Sequence, residues 1–454
     1  MHHERDTGRT LPNRRFDSKV WPVLLLLSAI GFACWTPFLA LGFSISSNQN
    51  LTGSTHLVGV GAGNDITPIA ITGGNLYDWG NTNGDGTRTD PVVDPGLDLD
   101  TNTIWNTSGS HIVLNLNGGS ITGRTGFAAI STGGGLPSGI RSGDIIITNV
   151  SRITAGRIAT ERTSTSEPGS GQVRIGTPDV PVWNVRLDSI NTRRNVDFGV
   201  GAGSITICST GDVMVATAAE AGDLLASEQN ATAGTISITN DGAFGARNIQ
   251  TYGAGRSSAG TTERGGPITI NGDALGNGPS GLFDVNDLDT HYGYGGYGRG
   301  AGSIVIGGYA GVVIRGSILA YSSSSEPLCP GGNVSITNIA GNIEVQGTIN
   351  LNAASGDSRD GVLIMTAPGT ITLAGLDVSK VKSATLTAGQ GTYITGALTN
   401  FPVSDPTSGR LDAPTHAVIH YRAKLNPDLG GNTYPLKSGG KLRSELRGTV
   451  IFFR

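Results

Sequence analysis

Cysteine is scarce in this chain, with three in 454 residues. That is too few for a disulfide framework, so stability must come from backbone pairing and a packed interior. Charge is scarce as well, at 15% of residues with a formal net of −4. Such a balance does not suit nucleic acid or an anionic membrane surface, and no nucleic acid is expected as a partner. Catalytic signatures are missing: there is no G-x-S-x-G and no H-E-x-x-H, which removes the nucleophile elbow and the zincin helix. Clusters such as Gly201-Ala202-Gly203 precede strand-like sequence and lack the helix N-terminus that would bind phosphate. His416 and His420 stand four apart in alternating THAVIHY, a spacing that covers ~13 Å of strand, too far for one zinc ion. His56 and His111 have no metal-spaced neighbours.

Glycine is abundant, at 71 residues. It lacks the strict third-position period of collagen, and the many β-branched residues argue against a disordered low-complexity chain. Its placement is regular in another way. Ile145, Val173, Ile205, Ile236, Ile268, Ile304, Val334 and Val362 follow one another at nearly constant spacing, the longest step being that from Ile268 to Ile304. The first seven have a glycine two positions before them (Gly143, Gly171, Gly203, Gly234, Gly266, Gly302 and Gly332), whereas Val362 has Gly361 immediately before it. All eight have an isoleucine two positions after, from Ile147 to Ile364. A fixed period of roughly 30 residues marks stacked repeats.

The residues inside these I-x-I pairs, among them Arg174, Thr206, Ser237, Thr269 and Ser335, are mostly polar, so one strand face is buried and the other wet. A second strand follows in Val213 and Val215, Val312 and Ile314, Ile343 and Val345, Ile371 and Leu373, and a third contains Ile158, Ile249, Ile318 and Ile349. Two or three short strands per repeat, joined by Gly, Ser and Asn turns, describe one coil of a β-solenoid. An earlier coil holds Ile112 and Leu114, one period before Ile145. The predicted fold is all-β, a single-stranded parallel β-helix of about ten coils with N- and C-terminal caps.

The segment 20–43, VWPVLLLLSAIGFACWTPFLALGF, follows Arg14, Arg15 and Lys19. A basic flank, an apolar core and then Gly31 with Ala33 or Ala40 with Gly42 form an export signal over residues 1–43. The competing reading is an uncleaved anchor, since an apolar run of this length can span a bilayer. Lipidation at Cys34 is disfavoured because Gly31 stands where a lipoprotein signal carries Leu. Residues 44–110 are expected to form the N-terminal cap and first coil, 111–400 the solenoid, and 401–454 the C-terminal cap and tail, closed by Pro402, Pro406 and Pro414. Cys208 and Cys329 fall four coils apart, ~19 Å at ~4.8 Å per step, and are expected as two thiols with no disulfide between them.

Two clusters are candidate sites. Asn81-Thr82-Asn83-Gly84-Asp85-Gly86 fits the [DN]-x-[DN]-x-[DN]-G pattern of calcium loops, with Asp90, Asp94, Asp98 and Asp100 nearby to complete the shell. Val92 stands where an EF-hand has its closing Glu, so a plain Asx-rich turn is the competing reading. The longest repeat carries Asp284, Asp287, Asp289, His291, Tyr292, Tyr294, Tyr297 and Arg299, read as an insertion over 284–299. Acids beside exposed rings suit a sugar, with rings stacking on the pyranose face; the alternative is a Gly-Tyr corner with solvated acids. No spacing sets a catalytic pair of carboxylates, and no catalytic residue is assigned.

The closing segment 415–442, THAVIHYRAKLNPDLGGNTYPLKSGGKL, resembles that of secreted bacterial β-helix proteins. The coil pattern, glycine, I-x-I, then G-x-[IV]-x-V, resembles the repeats of filamentous-haemagglutinin-type adhesins and autotransporter passenger domains over roughly residues 110–440. The resemblance implies a right-handed parallel β-helix, exported by machinery that engages the N-terminal segment, and displayed at the cell surface or released. No N-P-N-G-like motif follows residue 43, which departs from haemagglutinin-type exoproteins. The expected role is structural or adhesive, towards glycan or matrix. The alternative is a polysaccharide lyase or glycoside hydrolase of the β-helix type, although the polygalacturonase-like N-T-D, D-D, G-H-G and R-I-K set is absent.

Overall fold

In the computed structural model the described residues before His111 are the strands at 43–45, 49–51, 55–57, 66–71, 75–78, 96–100 and 103–106. From 111 to 444 the description omits 116–117, 127–128, 133–140, 162–168, 195–200, 216–221, 228–231, 255–263, 274–275, 277–279, 294–299, 324–328, 355–358 and 422–431. The described strands belong to one compact unit. Residues 1–42 of the export segment lie outside the described residues.

The chain is all-β, and its strands stack in parallel along three lines, as in a β-solenoid. On the first line Ile112, Ile145, Val173, Ile205, Ile236, Ile268, Ile304 and Val334 lie in register, each paired with the next. The line runs back to Ile66–Ile71 and Phe43–Ile45, so stacking already begins within 44–110. The second line aligns Ile121, Ile153, Val185, Val213, Phe244, Phe283, Val312, Ile343 and Ile371. The third aligns Ile130, Ile158, Ile190, Leu224, Ile249, Leu288, Ile318 and Ile349. All these residues from Ile112 onward are buried, and together they form one aliphatic core. At the far end Lys441–Ser444 pairs in parallel with Val418–Tyr421 and antiparallel with Thr433–Pro435, so this edge is occupied.

The recurrent glycines have a steric origin. A Cβ on Gly171 would lie 2.0 Å from the Gly143 carbonyl oxygen, one on Gly203 1.7 Å from that of Gly171, and one on Gly332 1.9 Å from that of Gly302. No side chain fits where these backbones cross. The same carbonyls accept hydrogen bonds from buried threonines of the third line: Thr132 to Gly143 and Thr160 to Gly171 at 2.5 Å, Thr192 to Gly203 at 2.6 Å, and Thr290 to Gly302 at 2.7 Å. The inward hydroxyls are thereby satisfied, as burial requires.

Two expectations are corrected. At the eighth repeat Val334 pairs with Leu363 and Ile336 with Met365. Leu363 and Met365 are fully buried, whereas Ile364 is 43% exposed, so the pair Val362 and Ile364 does not line the core. Gly361 gives the reason: it stacks on Gly332 and stands two positions before Leu363, as the other glycines stand before their strands. The extra length of the longest repeat is also displaced. The path from Ile268 to Phe283 is nearly twice as long as those from Ile236 to Phe244 and from Ile304 to Val312, which join the same two lines. The added residues lie in the corner before Phe283, while Asp284, Asp287 and Asp289 sit in the regular strand Ser280–Asp289.

The interior changes in the next coil. Gly308 has φ 80°, and the pairing register slips between Gly307 and Tyr309. Tyr309 is driven inward, fully buried, and its hydroxyl donates to Asn240 Oδ1 at 2.6 Å. The Tyr309 and Phe244 rings flank Phe283 at 5.3 and 5.2 Å. Cys208 and Cys329 are both buried and neither forms a disulfide, as expected.

Candidate functional site

Side chains alternate along each strand, so residues between the core positions of the second line face outwards. In register these are Thr122, Thr154, Arg186, Met214, Gly245, Asp284, Val313 and Glu344. Asp284 is thus on an outer sheet face, and its carboxylate takes a two-pronged bond from Arg315 of the next coil at 2.8 and 2.6 Å. Asp287 lies further along the same strand and accepts from the Ser317 amide at 2.6 Å and from the Asn286 side chain at 2.7 Å. Asp289 is buried and accepts from the His291 amide at 3.0 Å, with His291 Nδ1 at 2.5 Å. Each of the three predicted acids is therefore held by a structural partner.

Tyr292 is fully buried and its ring offers no stacking face to a sugar, which corrects its predicted role. Beside it His291 stacks between Tyr252 and Tyr321, with ring centroids 5.1 and 4.9 Å away. Burial and the nearby Asp289 push the Tyr321 phenol up. The members of this three-ring column come from separate repeats, and no local sequence pattern marks it. Tyr294, Tyr297 and Arg299 lie outside the described residues, as do Asn81, Asn83, Asp85, Asp90 and Asp94. Asp98 and Asp100 fall in the strand Gly96–Asp100. Among the described residues no group of three or more His, Cys, Asp or Glu is placed to hold a metal ion. His111 is not isolated: its Nδ1 accepts the Asp144 amide at 2.9 Å.

The same outer face is hollow over earlier coils. A cavity of about 690 Å³ lies over the second line where Thr154, Arg186 and Met214 face out, bounded by Thr125, Arg152 and Asp188. The Asp188 carboxylate accepts the Gly126 amide, which ties the loop wall to the strand. Trp183 stands beside Asn184, itself a lining residue, and is 54% exposed with the Arg152 guanidinium 4.9 Å over its ring. Arg152 and Arg186 are both exposed. No sequence motif marks this hollow. Its only signal is the outward position on three successive second strands.

The chain matches no protein-family model, no curated protein and no solved structure.

Proposed function

We propose that the protein is an exported, right-handed β-solenoid of about ten coils, with a structural or adhesive role at the cell surface or outside the cell, where its outer faces contact glycan or matrix. One observation supports this reading: the three candidate acids of the longest repeat are each engaged by a partner, Asp284 by Arg315, Asp287 by Ser317 and Asp289 by His291. A general acid needs a perturbed, available proton and a base needs a free lone pair. Here the three carboxylates serve as struts, Asp284 and Asp287 to residues of the next coil and Asp289 to the His291 beside it. A weak calcium site at Asn81, Asn83, Asp85 and Asp90 belongs to the same proposal, on the ligand pattern of that loop.

The test is a panel of acidic and neutral polysaccharides examined both for retention of the protein and for new unsaturated or reducing ends. Retention without new ends is expected. Turnover that disappears in Asp284→Asn or Asp287→Asn would establish the lyase or hydrolase instead.

A further inference from the structure

Arg152 and Arg186 line one cavity from adjacent coils. Among the described residues neither has a carboxylate partner; Arg152 lies over Trp183, and Arg186 projects from the strand Asn184–Asn191. The carboxylates in the same hollow are engaged by backbone instead: Asp188 accepts the Gly126 amide, and Asp212 Oδ1 accepts the Ala243 amide at 2.8 Å. Two guanidiniums are left to face solvent within a concave surface of about 690 Å³.

The surrounding sequence is biased the same way. Between residues 124 and 194 there are nine Arg and no Lys, against five Asp and Glu, a net of +4 in a chain whose total is −4. The excess is all arginine, the side chain whose planar fork pairs with carboxylate or sulfate through two parallel bonds. Trp183, more than half exposed, adds an apolar ring at the rim, and Thr125, Thr154 and Asn184 add neutral donors and acceptors suited to hydroxyl groups. Anion-binding forks, a ring and hydroxyl partners together match one ligand chemistry, a sugar chain that carries acidic groups.

We propose that this hollow binds an acidic polysaccharide, with Arg152 and Arg186 holding anionic groups of residues spaced along the chain and Trp183 packing on a pyranose ring. The assignment rests on the glycan-binding role proposed above and gives that role a place and a substrate class.

The test measures binding of the exported chain to polygalacturonate, to heparin, to neutral dextran and to duplex DNA, at low and raised salt. Polygalacturonate carries carboxylates alone and heparin carries sulfates beside its carboxylates, so binding of polygalacturonate shows that carboxylate suffices and binding of heparin alone points to sulfate. Wild type is expected to bind at least one of these two, more weakly as salt rises. The exposed double variant Arg152→Ala, Arg186→Ala is expected to bind about tenfold or more weakly with an unchanged melting temperature, and Trp183→Ala to lose part of the affinity. Equal binding by the double variant would place the glycan elsewhere and overturn the hollow while sparing the general role. Binding of dextran alone would spare the general role and overturn the acidic class. DNA bound as tightly as either glycan would show a surface that reads charge alone and overturn the assignment. No binding to any probe would overturn both readings.

Discussion

Gly203 lies against Gly171 of the preceding coil so closely that a methyl group on Gly203 would meet the Gly171 carbonyl oxygen at 1.7 Å. The same carbonyl accepts the Thr160 hydroxyl at 2.5 Å, so it cannot turn aside without losing a buried bond. Gly203→Ala is expected to destabilise by about 1–3 kcal/mol, the cost of overpacking. Gly307→Ala is the control, because the nearest atom to its added Cβ is 3.7 Å away. Thermal melts of the two variants should separate clearly. Equal melting temperatures would mean that the glycine column is not a steric requirement.

Ile238 is buried and Ser237 exposed on the same strand. Ile238→Asp places an unpaired charge in the core and should cost about 3–5 kcal/mol, while Ser237→Asp should stay within ~0.5 kcal/mol. Denaturant titration distinguishes them, and similar midpoints would refute the strand orientation.

At the eighth repeat the orientation is inverted relative to the I-x-I spacing. Leu363→Asp should therefore be severe and Ile364→Asp mild, since Leu363 has no exposure and Ile364 has 43%. The reverse order of stabilities would restore Val362 and Ile364 to the core.

Burial raises the Tyr309 phenol above its ordinary range. In the unfolded chain a tyrosine loses its proton near pH ~10; the native chain still holds it there and so binds more protons. Stability falls with rising pH under that condition. The contribution from Tyr309 is complete below pH ~10 and lost progressively above it. The Cys208 thiol, raised by burial and by Asp241, adds to the alkaline slope with the same sign. Tyr309→Phe should cost about 1–3 kcal/mol at neutral pH, because Asn240 Oδ1 loses its donor, and should flatten the decline above pH ~10. An unaltered alkaline slope in Tyr309→Phe would show that this phenol is not the responsible group.

Calcium should raise the melting temperature of wild type relative to chelator, by mass action on the folded form, and Asp85→Ala should remove the difference. Identical melts with calcium and chelator would eliminate the loop as a site.

The stacked architecture was legible in the sequence because its two marks are direct steric results. Isoleucines recur where a strand faces the core, and glycines recur where one backbone crosses the next. The eighth register was misread because Val362, Leu363, Ile364 and Met365 are all apolar, leaving alternation without contrast; only Gly361 carried the phase. The long step from Ile268 to Ile304 gives an excess length and not the corner that holds it, so the acids at 284–289 read as part of an insertion. The hollow at Arg152 and Arg186 was not legible at all. Its lining comes from coils about 30 residues apart, and no local window contains it.

The hydrogen bond from Tyr309 to Asn240 joins residues 69 apart in the chain and passes over the coil that opens at Ile268. An array in which each unit touches only its neighbours can fray one unit at a time. A tie that skips a unit removes that freedom, since the bridged coil cannot open while both of its neighbours stay closed around the phenol. The described strands between Ile236 and Ile314 are therefore expected to open as one block, their backbone amides exchanging with solvent deuterium together rather than coil by coil.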